Sequence, residues 1–408
     1  MIRIAAKPGL PTAWARRLHL SGANLERAGD HNRRVVLQAI RMADETTRAE
    51  LAQATDLTPA TIANITRRLM DEELVSTPGR RQGGRGQPAI RVAINPKGCF
   101  ALGLNIDRDH LTLVALNLAG EVCARVSEEM AFALPKDVVA WVERYLPGLL
   151  KEGDVATDRI LGVGVALPGD LGSVVLPGVP VSYTLWNDAD PKTLLADIMP
   201  WPLYTDNDAA AAALGEAHCG CGLRLPSFFY LQIGIGLGGG LVLDGAYMRG
   251  VHSRSGEIGL MPDMSSGSMK PVQDTVSLSA LFSRLEVAGV EKPCRETLLR
   301  DEEAVRKTVE TWLEDAICVL TPALVAVLCL IDPGVIVIGG RLPSQLARQL
   351  ASGVENRLSG ISLPVRPVLL HAEMAEPAAA VGAAILPFID QLLPSDTARM
   401  RADFTRHM

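Results

Sequence analysis

No stretch of this 408-residue chain runs for about 18 apolar residues without a polar break, so no membrane span is expected. The longest candidate, Ile317 to Ile331, is short and holds Thr321 and Pro322. The first residues carry arginines and Trp14 but no apolar core followed by a cleavage site, which argues against a signal peptide. Cysteines are few, odd in number at seven, and scattered, a pattern for a reducing cytoplasm rather than for a disulfide framework. Positive charge is scarce outside the first quarter of the chain. Residues 1–97 hold 16 Lys/Arg against 9 Asp/Glu, a surplus of seven, while the whole chain stands at −6, which leaves −13 for residues 98–408. A basic head on an acidic body is expected when only the head meets nucleic acid.

Thr47 to Met70 reads as two short helices around a tight turn. Thr47 and Glu50 have capping-box spacing, Asp56-Leu57-Thr58 forms the turn, Thr58 caps the next helix and Pro59 suits its first position. Ile62, Ile65 and Leu69 recur at helical spacing and face a core. That leaves Thr58, Thr61, Asn64, Arg67 and Arg68 outside, where short polar side chains reach base edges and arginines hold phosphates. A preceding helix from Asn32 buries Val36, Leu37 and Ile40, and two short strands follow, beginning at Leu74 and spanning Ile90 to Ile94. Three helices and a hairpin make a winged helix-turn-helix. Its wing carries Arg80, Arg81 and Arg85 among glycines, suited to a minor groove or to phosphates. An ordinary helical hairpin with a solvated loop is the alternative reading of these residues.

From Phe100 the pattern changes to alternating strands and helices: a three-stranded meander (100–106, 111–118, 121–126), a helix over 136–150, a buried strand ending at Pro168-Gly169, a strand running into a helix over 209–219, strand–glycine turn–strand over 228–245, a long helix from about Ala304, and a strand ending at Gly339-Gly340. Strands that end in glycine turns before helices are what phosphate and sugar clefts of α/β proteins use.

The motifs LPGDL, WND, DNDAAAAALGE, GIGLGGGLVLDG, SGEIG and DPGVIVIGG, in that order, resemble the ROK family of repressors and sugar kinases, and with the amino-terminal winged helix its NagC/XylR-type repressor branch. The resemblance implies a two-lobed, actin-like or ribonuclease-H-like α/β body with a sugar cleft between the lobes. The implied domains are an extension over 1–30, the head over 31–96, lobe 1 over 97–205, lobe 2 over 206–385, and a carboxy-terminal helix over 386–408 packing on lobe 1. The implied sugar-binding residues are Gly169, Asn207, Asp208, Glu257 and Asp274; in the family's kinases the Asp of the Asn-Asp pair is the base on the hydroxyl to be phosphorylated. Asn207 and Asp208 also fit a helix cap, and both roles can hold together.

Two departures from the family pattern shape the functional expectation. Where the kinases carry a glycine-rich phosphate loop, this chain has Asn105-Ile106-Asp107-Arg108-Asp109, without glycine and with added carboxylates, so catalytic residues and kinase activity are not expected. The family's zinc histidine is replaced by Leu260 and no cysteine lies in 261–275, so neither metal nor other cofactor is expected there. Cys219 and Cys221 read as buried or partly buried thiols.

The resulting expectation is a cytoplasmic, dimeric or tetrameric transcriptional repressor that reads a palindromic DNA operator and answers to a monosaccharide or sugar derivative. The alternatives are a sugar kinase with a DNA-binding head, and a regulator governed by a protein partner through a vestigial cleft.

Overall fold

A reciprocal capping box organises the head. Thr47 Oγ1 accepts from Glu50 N at 3.3 Å, and Glu50 Oε2 accepts from Thr47 N at 2.8 Å. The computed structural model describes residues 25–78, 90–169, 171–173, 179–265, 269–374 and 376–394, and of 25–27 the backbone only. Helix α1 spans Leu25–Met42, strand β1 Thr46–Thr47, α2 Arg48–Thr55, α3 Pro59–Asp71, β2 Val75–Ser76 and β3 Arg91–Ile94. Asp56 ends α2 in the left-handed conformation, with φ 54°, and Thr58 caps α3 ahead of Pro59. The three short strands pair in the order β1-β3-β2. The first helix therefore starts seven residues before the expected Asn32.

The body holds two five-stranded sheets of the same topology. The first comprises β4 (Phe100–Ile106), β5 (His110–Asn117), β6 (Val122–Glu129), β7 (Ile160–Leu167) and β8 (Leu203–Asn207), in the order β6-β5-β4-β7-β8. The meander β4-β5-β6 is antiparallel, and β4-β7 and β7-β8 are parallel. Helices α4 (Pro135–Glu152) and α5 (Pro191–Leu195) belong to this lobe. Helix α6 (Asp208–Cys219) leads to the second sheet, formed by β9 (Phe228–Ile233), β10 (Leu237–Leu243), β11 (Ala246–Tyr247), β12 (Val335–Gly340) and β13 (Val368–His371) in the matching order β11-β10-β9-β12-β13. Helices α7 (Leu278–Val287), α8 (Glu303–Ile331) and α9 (Ser344–Leu358) pack on it, and α10 (Ala378–Gln391) closes the described chain.

The repeated topology places two hairpin turns in equivalent positions. In lobe 1 the β4–β5 turn is Asp107-Arg108-Asp109; in lobe 2 the β9–β10 turn is Gly234-Ile235-Gly236. The carboxy-terminal helix starts at Ala378, eight residues before the expected 386, and lies against β4, β7 and α6, while the expected lobe boundary at 205/206 falls within β8.

The apolar stretch read as Ile317–Ile331 belongs to a helix of 29 residues that continues through Pro322. By length and composition alone α8 could cross a membrane, but its Val305, Val309, Trp312, Ala316, Leu320 and Leu324 are buried in the lobe 2 core. The head does not hang on a bare linker. Val36, Leu37, Ile40, Ile62 and Leu69 share one apolar cluster with Leu116 and Leu118 of lobe 1 and with Val381, Ile385 and Phe388 of α10.

Candidate functional site

Helix α3 buries Ile62, Ile65, Thr66 and Leu69, so the opposite face is fixed toward solvent. Thr58, Asn64, Arg67 and Arg68 are exposed and Thr61 is half-buried. Thr58 Oγ1 accepts from Thr61 N at 3.3 Å and lies 2.9 Å from Thr61 Oγ1, so these two hydroxyls are held together at the amino-terminal end of the helix. The order along the exposed face is short hydroxyls, then an amide, then two guanidiniums, an arrangement that fits base edges and flanking phosphates. Arg80, Arg81 and Arg85 lie outside the described residues.

The cleft is built around the start of α6. Asn207 caps this helix: its Oδ1 accepts from Ala209 N at 3.0 Å and from Ala210 N at 3.1 Å. Asp208 therefore stands in the first turn, beside a cavity of about 250 Å³. That cavity is also lined by Gly169, Glu257, Gln232 and Gln273, and by Arg108 from lobe 1. Gln232 Nε2 donates to Asp208 Oδ2 at 3.3 Å. Burial, then the nearby Asp107 carboxylate, push the Asp208 carboxyl up to about 6, against the opposing effect of Arg108. Glu257 is delivered by a backbone that only glycine fits: Gly256 has φ +89°, and a Cβ there would overlap the carbonyl of Gly239. Together the cleft offers three carboxylates and three carboxamides, groups that accept from and donate to vicinal hydroxyls.

Four of the five expected sugar ligands, Gly169, Asn207, Asp208 and Glu257, thus meet at one cavity. Asp274 does not: it is exposed, and its neighbour Gln273 takes the place in the lining. The short helical turn Val272–Asp274 buries Val272, sets Gln273 at the cavity and turns Asp274 to solvent, and spacing counted along the chain missed that turn by one residue. Leu260, where the family carries histidine, lines the same cavity and is 55% exposed. Cys221 is buried and Cys219 half-buried.

Sequence reasoning also overlooked Gln232. It is the one amide in β9, an otherwise apolar and aromatic strand, and this lone polar residue in a buried run was the available signal.

Outside the lining of this cavity, the two lobes are tied by charge. Arg341, 3% exposed, follows the end of β12 in lobe 2 and reaches lobe 1. Its Nη1 donates to Asp109 Oδ2 at 2.6 Å and to Glu129 Oε2 at 3.2 Å, and Nη2 pairs with Glu129 Oε1. Glu376 stands 3.6 Å from Arg341 and pairs with Arg125 at 3.2 Å and Arg295 at 2.9 Å. Burial alone would raise the Asp109 carboxyl, but His110, bonded at 2.6 Å, and Arg341 outweigh it and hold it below the usual carboxylate range. Asp107, Asp109 and His110 are close enough together to share a cation, yet Asp109 is already engaged by the Arg341 guanidinium. The turn expected to have lost its phosphate loop is therefore a clasp between the lobes, anionic on the lobe 1 side.

A larger cavity of about 1120 Å³ lies between the head and the body, lined by Arg34 and Gln38 of α1, Tyr204 and Thr205 of β8, and Tyr247 and Arg249. It contains none of the groups gathered at Asp208.

Comparison with known proteins agrees with this geometry. The chain is 30% identical over 348 residues to an uncharacterized protein of Sinorhizobium fredii, covering 84% of this chain and 86% of the relative. It is 26% identical over 274 residues to the xylose repressor of Caldicellulosiruptor bescii, covering 64% of this chain and 68% of the relative. Among solved structures, a ROK family transcriptional regulator described as a homologue of the Escherichia coli Mlc protein aligns over 92% of this chain and 99% of its own length, with a TM-score of 0.65 and 24% identity. A ROK family glucokinase from Streptomyces griseus, solved with glucose and AMPPNP, aligns over 70% of this chain and 98% of its own, with a TM-score of 0.55 and 19% identity. The model of the ROK family matches residues 101–388, and the chain is a member of that family.

Proposed function

We propose that this protein is a sugar-responsive transcriptional repressor and not a kinase. The observation that carries the reading is the asymmetry of the cleft. Asn207, Asp208 and Glu257 line one side of the cavity, while the β4–β5 turn lines it with Asp107 and Arg108 and commits Asp109 to a clasp with Arg341, which also holds Glu129. Nucleotide phosphates need amides or cations, and a turn whose one cation, Arg108, stands between two carboxylates is a poor site for them. Relatives named xylose repressor and transcriptional repressor Mlc support the same reading.

On this reading Thr58, Thr61, Asn64, Arg67 and Arg68 contact an operator, with Arg80, Arg81 and Arg85 on the wing. Gly169, Asn207, Asp208, Glu257 and Gln273 hold a neutral monosaccharide such as xylose. A palindromic operator needs two heads related by a two-fold axis, which a homodimer supplies. No step of this reading requires a metal or cofactor, and the setting is the cytoplasm, where the DNA lies.

The direct test is calorimetric titration of the full chain with D-xylose, D-glucose, N-acetyl-D-glucosamine and ATP, beside fluorescence anisotropy on DNA duplexes selected by the protein from a random pool. Sugar binding that alters duplex affinity, without ATP binding, is the expected result. Sugar-dependent ATP turnover that disappears in Asp208→Asn would establish the kinase reading instead. Duplex affinity indifferent to every sugar that binds would leave a DNA-binding protein governed by another partner.

A further inference from the structure

We propose that Arg41 is the positioning residue that couples the cleft to the DNA-binding head, by gripping the carboxy-terminal end of the same helix whose amino-terminal end forms the cleft. The inference deepens the sugar-responsive reading above and rests on it for the nature of the signal.

Helix α6 has a different task at each end. At its start, Asn207 and Asp208 line the cavity. At its finish, Arg41 of the head helix α1 donates from Nη2 to His218 O at 3.1 Å and meets Cys219 Sγ at 3.6 Å. From Nε the same guanidinium donates to Leu118 O of lobe 1 at 2.9 Å. A cation against the last carbonyls of a helix is favoured by the helix dipole as well as by the hydrogen bond. Arg41 sits one residue before the end of α1, so the head helix is tied at that point both to α6 and to lobe 1.

Helix α6 can carry a displacement because it is stiff and closely seated. Its 12 residues span about 18 Å at the usual rise. Its alanine face meets α10 backbone to backbone: a Cβ on Gly382 would overlap the carbonyl of Ala211, and one on Gly215 that of Ala378. Such contacts leave no soft side chains to absorb a shift, so a pull on Asn207 or Asp208 moves α6 as a unit. Arg41 bonds α6 itself, whereas other head–body ties among the described residues reach lobe 1 or α10 and touch α6 at most through them. Arg159 of lobe 1 pairs with Glu73 of the head. Arg34 bonds the carbonyls of Ile389, Asp390 and Leu393 at the end of α10.

The test uses the full-length chain and hydrogen exchange of backbone amides in residues 31–76. D-xylose and D-glucose are the probes, and binding of each is measured separately by calorimetry. In the unmodified protein, saturating sugar is expected to change exchange in α1 and α3. Arg41→Ala should bind the sugar with affinity within about twofold of the parent yet lose that response. Arg41→Lys, which keeps the charge but not the fork of donors, should retain only part of it, and Arg159→Ala should retain all of it. For duplex binding, the coupling to be lost lies on the order of 5- to 150-fold. A full head response in Arg41→Ala would overturn the proposal.

A sugar-free arm separates the relay from the ligand reading. Asn207→Ala removes the cap at the start of α6, and the change it produces in α1 exchange should vanish when Arg41→Ala is added. Additive effects of the two substitutions would refute the relay. Failure of every sugar to bind would remove the proposed function, while this arm would still decide for or against Arg41.

Discussion

Acid should weaken sugar binding through one residue. Asp208 has an ordinary value of 3.8 that is pushed up to about 6 in the folded protein, chiefly by burial and then by Asp107, with Arg108 acting against both. A carboxylate can accept two hydroxyl protons from a sugar, whereas the protonated form loses that capacity in part, so the ionised form is the binding form. Lowering the pH from 7.5 to 5 should then weaken affinity about tenfold, roughly 1.4 kcal/mol, because only about a tenth of Asp208 remains ionised. With the group at 3.8 the same change would be under about 10%. The sign for stability of the sugar-free protein is the reverse. A raised folded value makes this group's contribution fully present below about pH 3.8 and lost as the pH rises through about 6, so acid favours the empty fold through Asp208 while it disfavours the complex. Calorimetric titration at pH 5, 6, 7 and 7.5 reads the effect. In Asp208→Asn the plateau affinity should fall by about 1.5–3 kcal/mol, typical of a hydrogen bond to a charged group, and the pH slope should disappear. Affinity that stays flat down to pH 5, or a slope that persists in Asp208→Asn, would refute the placement of this carboxylate in the binding step.

Further expectations concern the head, the clasp and the helix pair. Replacing Arg67 or Arg68 by alanine should weaken binding on every duplex sequence and lower the salt slope by about one, read from anisotropy titrations at several salt concentrations. Arg341→Ala leaves Asp109, Glu129 and Glu376 facing one another; since Glu129 and Glu376 are partly exposed, the loss should be about 1–3 kcal/mol, less than for a fully buried pair, and urea unfolding should show it without any gain of ATP binding. Gly382→Ala drives a methyl into the Ala211 carbonyl and should cost at least about 1–3 kcal/mol, lowering the thermal midpoint, because backbone and not a flexible side chain stands in the way.

The head was legible because its signals are local. Thr47 with Glu50, the Asp56 turn and Thr58-Pro59 are decided within four residues of chain, and the same residues make those contacts in three dimensions. The body was legible where a strand ended in glycine. It was obscure where position depends on a turn that spacing cannot resolve: Asp274 points outward and Gln273 inward because the segment is a single helical turn. The clasp was invisible for a different reason. Arg341 and Asp109 are 232 residues apart, and nothing along the sequence says that the end of β12 faces the β4–β5 turn. Only the doubled sheet topology brings them together.

That doubled topology also bears on how the cleft would work without phosphate chemistry, as proposed above. The two equivalent turns divide the work: Gly234-Ile235-Gly236 keeps the open backbone of its lobe beside Asp208, while Asp107-Arg108-Asp109 has exchanged free amides for charge. Arg108 faces the cavity from this turn and Asp109, the next residue, faces Arg341, so one short segment touches both the hydroxyl-binding groups and the clasp that ties the lobes. A ligand seated against Asp208 must therefore meet a lobe 1 turn whose position is set by Arg341, and the angle between the lobes is linked to occupancy by contacts already in place. The turn restrains the lobes through Asp109 and Arg341, and on the proposed relay α6 carries the displacement toward the head. On the proposed reading, binding energy from a ligand at Asp208 is available for moving Arg41 and α1.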